Sequence, residues 1–531
     1  MNRKNLTAAV LAGLAGAAGI ASTAQAVNLN PDGLGQVLIY PYYTVNNGHF
    51  TLLSVVNTTD EGKAVKVRFL EGSNSQEVLD FNLYMSEYDV WTAAIIPDAE
   101  AGAALNVTDT SCTVPTIEGQ DDQTQEFISI QYAGSESGQY EGDGGPDGVD
   151  RLMEGHFEII EMASIPDGAI ADATRHEDGR PAACEAHIDL WTTPGSDAGD
   201  LTGGWLDDPA FGLGDPSGGL FGGAAVVNAE MGVMLTYEAR ALDGYSTEIQ
   251  HYISGNQLPD LSTGNITTSS VYDNGNVISL SYSEGIDAVT SVFMADTMMN
   301  EYNTADDMMA LSEWVVTLPT KKAYVNGASP IAPFTSVWSS LGEDTDAWGA
   351  CEIVTLGPGE KGLWDREEAT IPDPDDPSIP PGEPVFSPSE QPEDPEVPPV
   401  PTANLCYEVN VIRFGALGEG VDPDTYMGPT ELLGSSRVLN INNEALGFEN
   451  GWAQVDLFYA DDPNTPEDEG VRWLIDDQGM AIGGLPMTGF WATDWQNDFA
   501  ATNTAGVLAT QHYGGLFDHK YSRLTSDTTS D

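Results

Sequence analysis

In the stretch KAVKVRF, residues 63–69, Val65, Val67 and Phe69 alternate with Lys66 and Arg68. Successive side chains of a β-strand point to opposite faces, so an apolar/charged alternation predicts a strand with one face buried and the other in water. Leu79, Phe81 and Leu83 repeat the pattern. Around them lie GQVLIYPYYTV, FTLLSVVN and VWTAAII, followed by EFISIQY, HFEIIEMA, GVMLTYEARAL, NVISLSY, AVTSVFM and EWVVTLP, and in the last third by LCYEVNVIRF, SSRVLNI and GWAQVDLFYA. These segments are short, rich in β-branched and aromatic residues, and separated by turn residues. With 57 Gly and 32 Pro in the chain, they predict a mainly β protein of immunoglobulin-like antiparallel β-sandwich architecture, with long loops and one or two short helices. The helical segments are read at TADDMMALSEW, near residue 304, and DWQNDFAATNTAGVLATQH, near residue 494, where Trp495, Phe499 and Val507 fall on roughly one face. No repeat of fixed period occurs, which excludes solenoids and propellers.

Arg3 and Lys4 precede a run of small and apolar residues that ends at Ala24-Gln25-Ala26. That is the arrangement of a secretory signal peptide over residues 1–26, with the mature chain beginning near Val27. No later segment has the roughly 18 consecutive apolar residues of a membrane-spanning helix. The mature chain is therefore expected in the periplasm, at the cell surface or outside the cell. Its pattern divides into an N-terminal β-sandwich region, 27–255, with an acidic Gly-rich insertion at 115–150, and a C-terminal β-rich region, 256–531. The latter carries a Pro-rich acidic insertion, 371–401, without Lys or Arg, expected to be an extended excursion.

The chain has 83 Asp and Glu against 18 Lys and Arg, a formal charge of -65. Such a balance repels phosphate backbones and anionic headgroups, which argues against nucleic acid as a partner. It also costs stability through self-repulsion unless cations screen it. A marine or halophilic Gram-negative source, with calcium or sodium as counterions, accounts for this; a demand for solubility alone is the competing explanation.

Cys112, Cys184, Cys351 and Cys406 are even in number in a chain read as exported, which predicts disulfides. Of the three possible pairings the sequential one is preferred. It brackets the acidic stretch between Cys112 and Cys184 and the Pro-rich one between Cys351 and Cys406. No C-x-x-C pair or zinc-ribbon spacing is present.

The signatures of nucleophile-elbow hydrolases, zincins and P-loop enzymes are absent, and the seven histidines are scattered. Carboxylates are so numerous that no glycosidase pair stands out. Trp338, Trp348, Trp364, Trp473, Trp491 and Trp495 are read first as core residues and second as sugar-stacking platforms. Calcium is the best-motivated ligand. In EGDGGPDGVDRLME, residues 141–154, Asp143, Asp147, the Val149 carbonyl and Glu154 occupy positions 1, 5, 7 and 12 of a calcium loop, with Gly148 at position 6. Gly145 supplies no oxygen at position 3, Asp150 stands where an apolar residue belongs, and the following HFEIIEMA reads as a strand. An EF-hand is thereby excluded, leaving a calcium loop in a β context or an ordinary acidic turn.

The combination GQVLIYPYYTV, LLSVVNTTD, EGHFEIIEMA, EWVVTLPTKKAYV and LCYEVNVI resembles a family of exported proteins of proteobacteria. The resemblance implies an exported β-rich protein and supplies no activity, ligand or catalytic residue. The function expected is that of a non-enzymatic structural or adhesion-type protein of the cell surface or extracellular matrix, surface-layer-like. Divalent cations would bridge carboxylates, and the partners would be further copies of the chain or cell-surface glycans. The alternatives are a carbohydrate-binding protein or glycan-active enzyme, and a soluble periplasmic protein of another role.

Overall fold

The computed structural model describes residues 26–117, 123–135, 137–192, 204–339, 348–356, 362–370, 402–416, 428–460, 470–496 and 512–528. The expected signal peptide up to Gln25 and the whole 371–401 insertion lie outside them. Two sheets form from residues 28–243. The first has seven strands in the order Asn28–Leu29, Arg240–Asp243, Val37–Thr44, Glu154–Ile165, Gly62–Glu71, Glu77–Met85 and Cys112–Val114. The second has six, Val233–Glu238, Leu220–Asn228, His49–Asn57, Val90–Asp98, Gly102–Asn106 and Thr124–Glu126. Val65, Val67, Phe69 and Phe81 of the first meet Leu53, Val55, Trp91 and Ile95 of the second in one core. Each such side chain, fully removed from water, contributes about 1.5–3 kcal/mol.

Two more sheets form from the second half of the chain. The third contains Thr402–Leu405, Glu352–Leu356, Asn450–Asp456, Thr297–Asn303 and Lys520–Ser522, with Leu363–Asp365 also paired to Asn450–Asp456. The fourth runs Val438–Ile441, Val409–Phe414, Leu311–Thr317, Thr488–Gln496 and His512–Asp518. Met298, Tyr302 and Val455 pack on Trp314, Val316 and Phe414 between them. The fourth sheet is buried on its other face too, where Val315, Val411 and Phe490 join the first core and the Phe490 ring stacks on Tyr237 at 5.3 Å. The strands of the first two sheets thus end at Asp243 and those of the third and fourth begin at Thr297, while the first core draws on both sets. The architecture is mainly β, with several antiparallel sheets and short helices, as the patterning implies; it does not single out an immunoglobulin-like strand order. Val409–Phe414 and Val438–Ile441 form a parallel pair.

The alternation at residues 62–71 is corrected in one respect. Every position of strand Gly62–Glu71 is buried, including Lys66 and Arg68, which the pattern places in water. A third layer covers the outer face of the first sheet. Tyr245, Leu261, Val289 and Phe293 lie on Val37, Ile39, Ile160 and Leu242, and the helices Ala169–Thr174, Cys184–Thr192 and Gly204–Asp207 supply Ile170, Leu190 and Trp205 to a further cluster. The cations tolerate burial because each meets a carboxylate. Lys63 pairs with Glu161 at 2.7 Å, Lys66 with Asp80, and Arg68 with Glu77 at 2.9 Å and Glu158 at 2.8 Å.

The helices also differ from expectation. Near residue 304 a single turn, Asp306–Met308, gives way to the strand Leu311–Thr317. Trp495 belongs to the strand Thr488–Gln496 and His512 opens the next; Phe499 and Val507 lie outside the described residues. AVTSVFM, read as a strand, falls mostly in the helix Gly285–Phe293, because Ala288, Val289, Val292 and Phe293 present a helical stripe to the third layer. Short apolar runs carry no period that separates the two readings. Both disulfides form in the sequential pairing, Cys112–Cys184 and Cys351–Cys406. The first ties an edge strand of the first sheet to the helix Cys184–Thr192, and the second clamps the base of the pair Glu352–Leu356 and Thr402–Leu405.

Candidate functional site

The 141–154 loop folds around an arginine. Arg151 donates to both carboxylate oxygens of Asp143, Nη2 to Oδ2 at 2.7 Å and Nη1 to Oδ1 at 3.1 Å, and Nη2 lies 3.0 Å from Glu71. Its guanidinium sits over the rings of Tyr132 and Trp348, and Trp338 donates its indole N–H to the Asp143 carbonyl. Glu154 is fully buried at the start of its strand. It accepts the Tyr42 hydroxyl at 3.0 Å and pairs with Arg437 at 2.5 Å, and Arg437 also faces Glu71 at 3.7 Å. Asp147 and Val149 are exposed. Asp143 and Glu154 therefore take guanidinium groups as their countercharges, and the residues expected as calcium ligands are not brought round one point. Among the described residues no group of three or more His, Cys, Asp or Glu is placed to hold a metal ion.

A second buried carboxylate delivers Arg437. Glu313 accepts the Thr430 hydroxyl and the Leu432 and Leu433 N–H groups at 2.7–3.0 Å, which shapes the turn leading to Ser435 and Arg437. Burial pushes the Glu313 carboxyl up to about 7. Glu71 ends at the opposite extreme. Burial pushes it up, but Arg151, Arg437 and the Asn74 N–H outweigh that and hold it at about 2. At least eight of the 18 Lys and Arg are buried, against eleven described acids of the 83. The outer surface is thus poorer in positive charge than the composition alone indicates.

Away from this interior, a groove of ≈ 920 Å³ opens where the second, third and fourth sheets meet. Trp452 and Glu301 stand opposite each other on neighbouring strands of the third sheet, and Trp364 stands on the far side of Trp452. The Trp364 and Trp452 rings are parallel, with centroids 4.1 Å apart and planes at 8°. Trp364 covers one face of Trp452, a residue 39% exposed in the groove wall. Across the groove, Phe517 is 47% exposed and backed by Trp491 at 5.1 Å. Glu238, Asn300, Asp518 and Lys520 supply polar groups to the lining. Asp518 is held by Arg240 at 2.8 Å, and Asn300 is anchored to the Phe517 carbonyl at 3.1 Å. Aromatic faces held by stacking, with carboxylates and an amide beside them, can take a ring that is apolar on its face and hydroxylated at its edge.

Trp452 was not among the tryptophans singled out by sequence. Its signal lay in GWAQVDLFYA, where Ala453 and Val455 form the apolar phase and Trp452 shares the polar phase with Gln454. A Trp on the polar phase of an alternating strand faces outward. Of the six tryptophans named earlier, Trp491 is buried and the others are half-buried, with Trp364 acting as the backing plate. Comparison with family models, curated proteins and solved structures returns no match to this chain.

Proposed function

We propose that the chain is an exported, non-enzymatic protein of the cell surface or extracellular space that holds carbohydrate in the Trp452 groove. The observation that carries this is the Trp364–Trp452 stack presenting an aromatic face to a ≈ 920 Å³ groove beside Glu301 and Asn300. Two disulfides fit a chain that matures outside a reducing cytoplasm. The groove carboxylates are exposed or engaged by Arg240, and the buried acids Glu313 and Glu408 lie elsewhere, so binding is favoured over hydrolysis. With Glu238, Glu301 and Asp518 against Lys520 and Arg240, the groove keeps a net negative charge, which suits neutral or amino sugars and disfavours uronic or sialic acids.

A glycan array supplies the test. Neutral or amino-sugar oligosaccharides bind the parent chain, and Trp452→Ala weakens that binding at least about tenfold, worth about 1.4 kcal/mol, with an unchanged circular dichroism spectrum. Failure to bind any glycan sinks the proposal.

Cations enter this reading as counterions for the whole surface. The melting temperature rises between roughly 0.1 M and 1 M salt, as the Debye length shrinks from about 10 Å to about 3 Å, and calcium acts at lower concentration than sodium. A melt indifferent to both salt and chelator removes the counterion role.

A further inference from the structure

The outer face of the second sheet is nearly uncharged on a chain of formal charge -65. Its strands Val233–Glu238, Leu220–Asn228, His49–Asn57 and Val90–Asp98 alternate between buried and outward positions. Outward stand Met234, Phe221, Leu52 and Val90, exposed by 58%, 43%, 40% and 47%. The register makes continuous rows of them. Val56 lies between Phe221 and Val90, and Leu52 between Ala225 and Ala94. Ser54, Thr92, Gly223 and Thr236 fill the spaces, and a shallow depression of ≈ 490 Å³ crosses the middle. On this face of the four strands, charge appears only at strand ends, in Asp98 and Glu238. The first sheet has its outer face covered by a third layer; these outward side chains remain in water. Monomeric proteins rarely expose contiguous apolar patches beyond a few hundred Å².

We propose that this face docks a second copy of the chain, two copies stacking sheet on sheet about a two-fold axis. Charge selects the occupant. A basic partner would be drawn to the carboxylates elsewhere on the surface and would gain nothing from a face without them. A second polyanion is repelled everywhere except where charge is missing, so the uncharged face is where like copies can meet. The face also suits self-pairing, because a two-fold contact sets the same patch against itself and twisted sheets pack face to face about 10 Å apart. Four strands about 4.8 Å apart, each about eight residues long, span roughly 500 Å². Two such faces bury roughly 1,000 Å², the size of a weak, transient contact, so the dimer forms and dissociates with concentration.

Sedimentation velocity of the whole chain tests this. The dimer fraction rises with protein concentration and also with salt, because screening weakens repulsion between copies and leaves the apolar contact intact. The double variant Leu52→Glu with Phe221→Glu sediments as monomer, shifting dimerisation by at least about tenfold in concentration. Both sites are exposed, and an unchanged melting curve shows that the fold is kept. Trp452→Ala leaves the dimer intact, which separates this proposal from glycan binding. Monomer at every concentration in high salt overturns the proposal, as does a dimer indifferent to the double variant. Binding of monomers to phosphatidylcholine vesicles through Leu52 and Phe221 would assign the face to lipid and equally overturn it.

Discussion

Arg437→Met lowers the free energy of unfolding by about 3–5 kcal/mol, the range for removing one partner of a buried ion pair. Glu154 and Glu71 are both fully buried, and Arg437 is 5% exposed between them. Without the guanidinium, Glu154 keeps the Tyr42 and Ser435 hydroxyls and loses its countercharge. The carboxylate must then be protonated or the segment carrying Ser435 must leave the first sheet. Urea unfolding monitored by tryptophan fluorescence measures the loss. The same experiment separates the arginine from a metal. If guanidinium groups are the countercharges of Asp143 and Glu154, added calcium does not restore the variant, and Glu154→Gln is destabilised equally in calcium and in chelator. Rescue of Arg437→Met by calcium would return the 141–154 loop to a metal site. Calcium would then bind where Arg437 had been.

Glu408→Gln stabilises the protein in alkali. Glu408 is buried, its Oε1 has no hydrogen-bond partner, and burial pushes the carboxyl up to about 8 in spite of Lys321 nearby. The direction follows from proton binding. A carboxyl with a folded-state pKa above its unfolded value holds its proton more tightly when folded, so its contribution to stability falls as pH rises from the unfolded pKa, about 4.3, through the folded one. Glutamine keeps the shape and carries no charge to bury. The variant therefore exceeds the parent by about 5 kcal/mol near pH 8.5, and the difference shrinks to about 1 kcal/mol at pH 5. His156, His187, His251 and His519 are pushed down by burial to about 3 or 4 and lose stability toward acid in the opposite sense. They are common to both proteins and cancel in the comparison. A stability difference that does not change with pH would show Glu408 charged in the fold throughout.

Part of the site was legible and part was not, for reasons visible in single residues. Asp143 and Glu154 were read, with Asp147 and Val149, as ligands of a calcium loop; in the structure both carboxylates face arginines. The one that meets Glu154 is Arg437, brought from the fourth sheet by a turn folded on Glu313. Spacing along a loop reports only local geometry, and an ion pair closed across two sheets leaves no mark in it. Trp452 was legible from its phase within GWAQVDLFYA; the groove was not, because its walls come from three sheets.

By itself, the sequence determined the β class, the strands at Gly62–Glu71 and Glu77–Met85, and the inward set Val65, Val67 and Phe69, because a period of two is a local property of extended backbone. It also set an even number of cysteines and a charge that any fold of this chain must accommodate; which cysteines pair was decided by the tertiary structure. Only the tertiary structure decided the fate of Lys66 and Arg68. Alternation shows that two residue sets face opposite ways, and it does not show how many layers are stacked on each face. A third layer buried the charged face, and the carboxylates that make this tolerable came from neighbouring strands. Ion pairs and layer number depend on which strands become neighbours, and that is settled by packing over the whole chain.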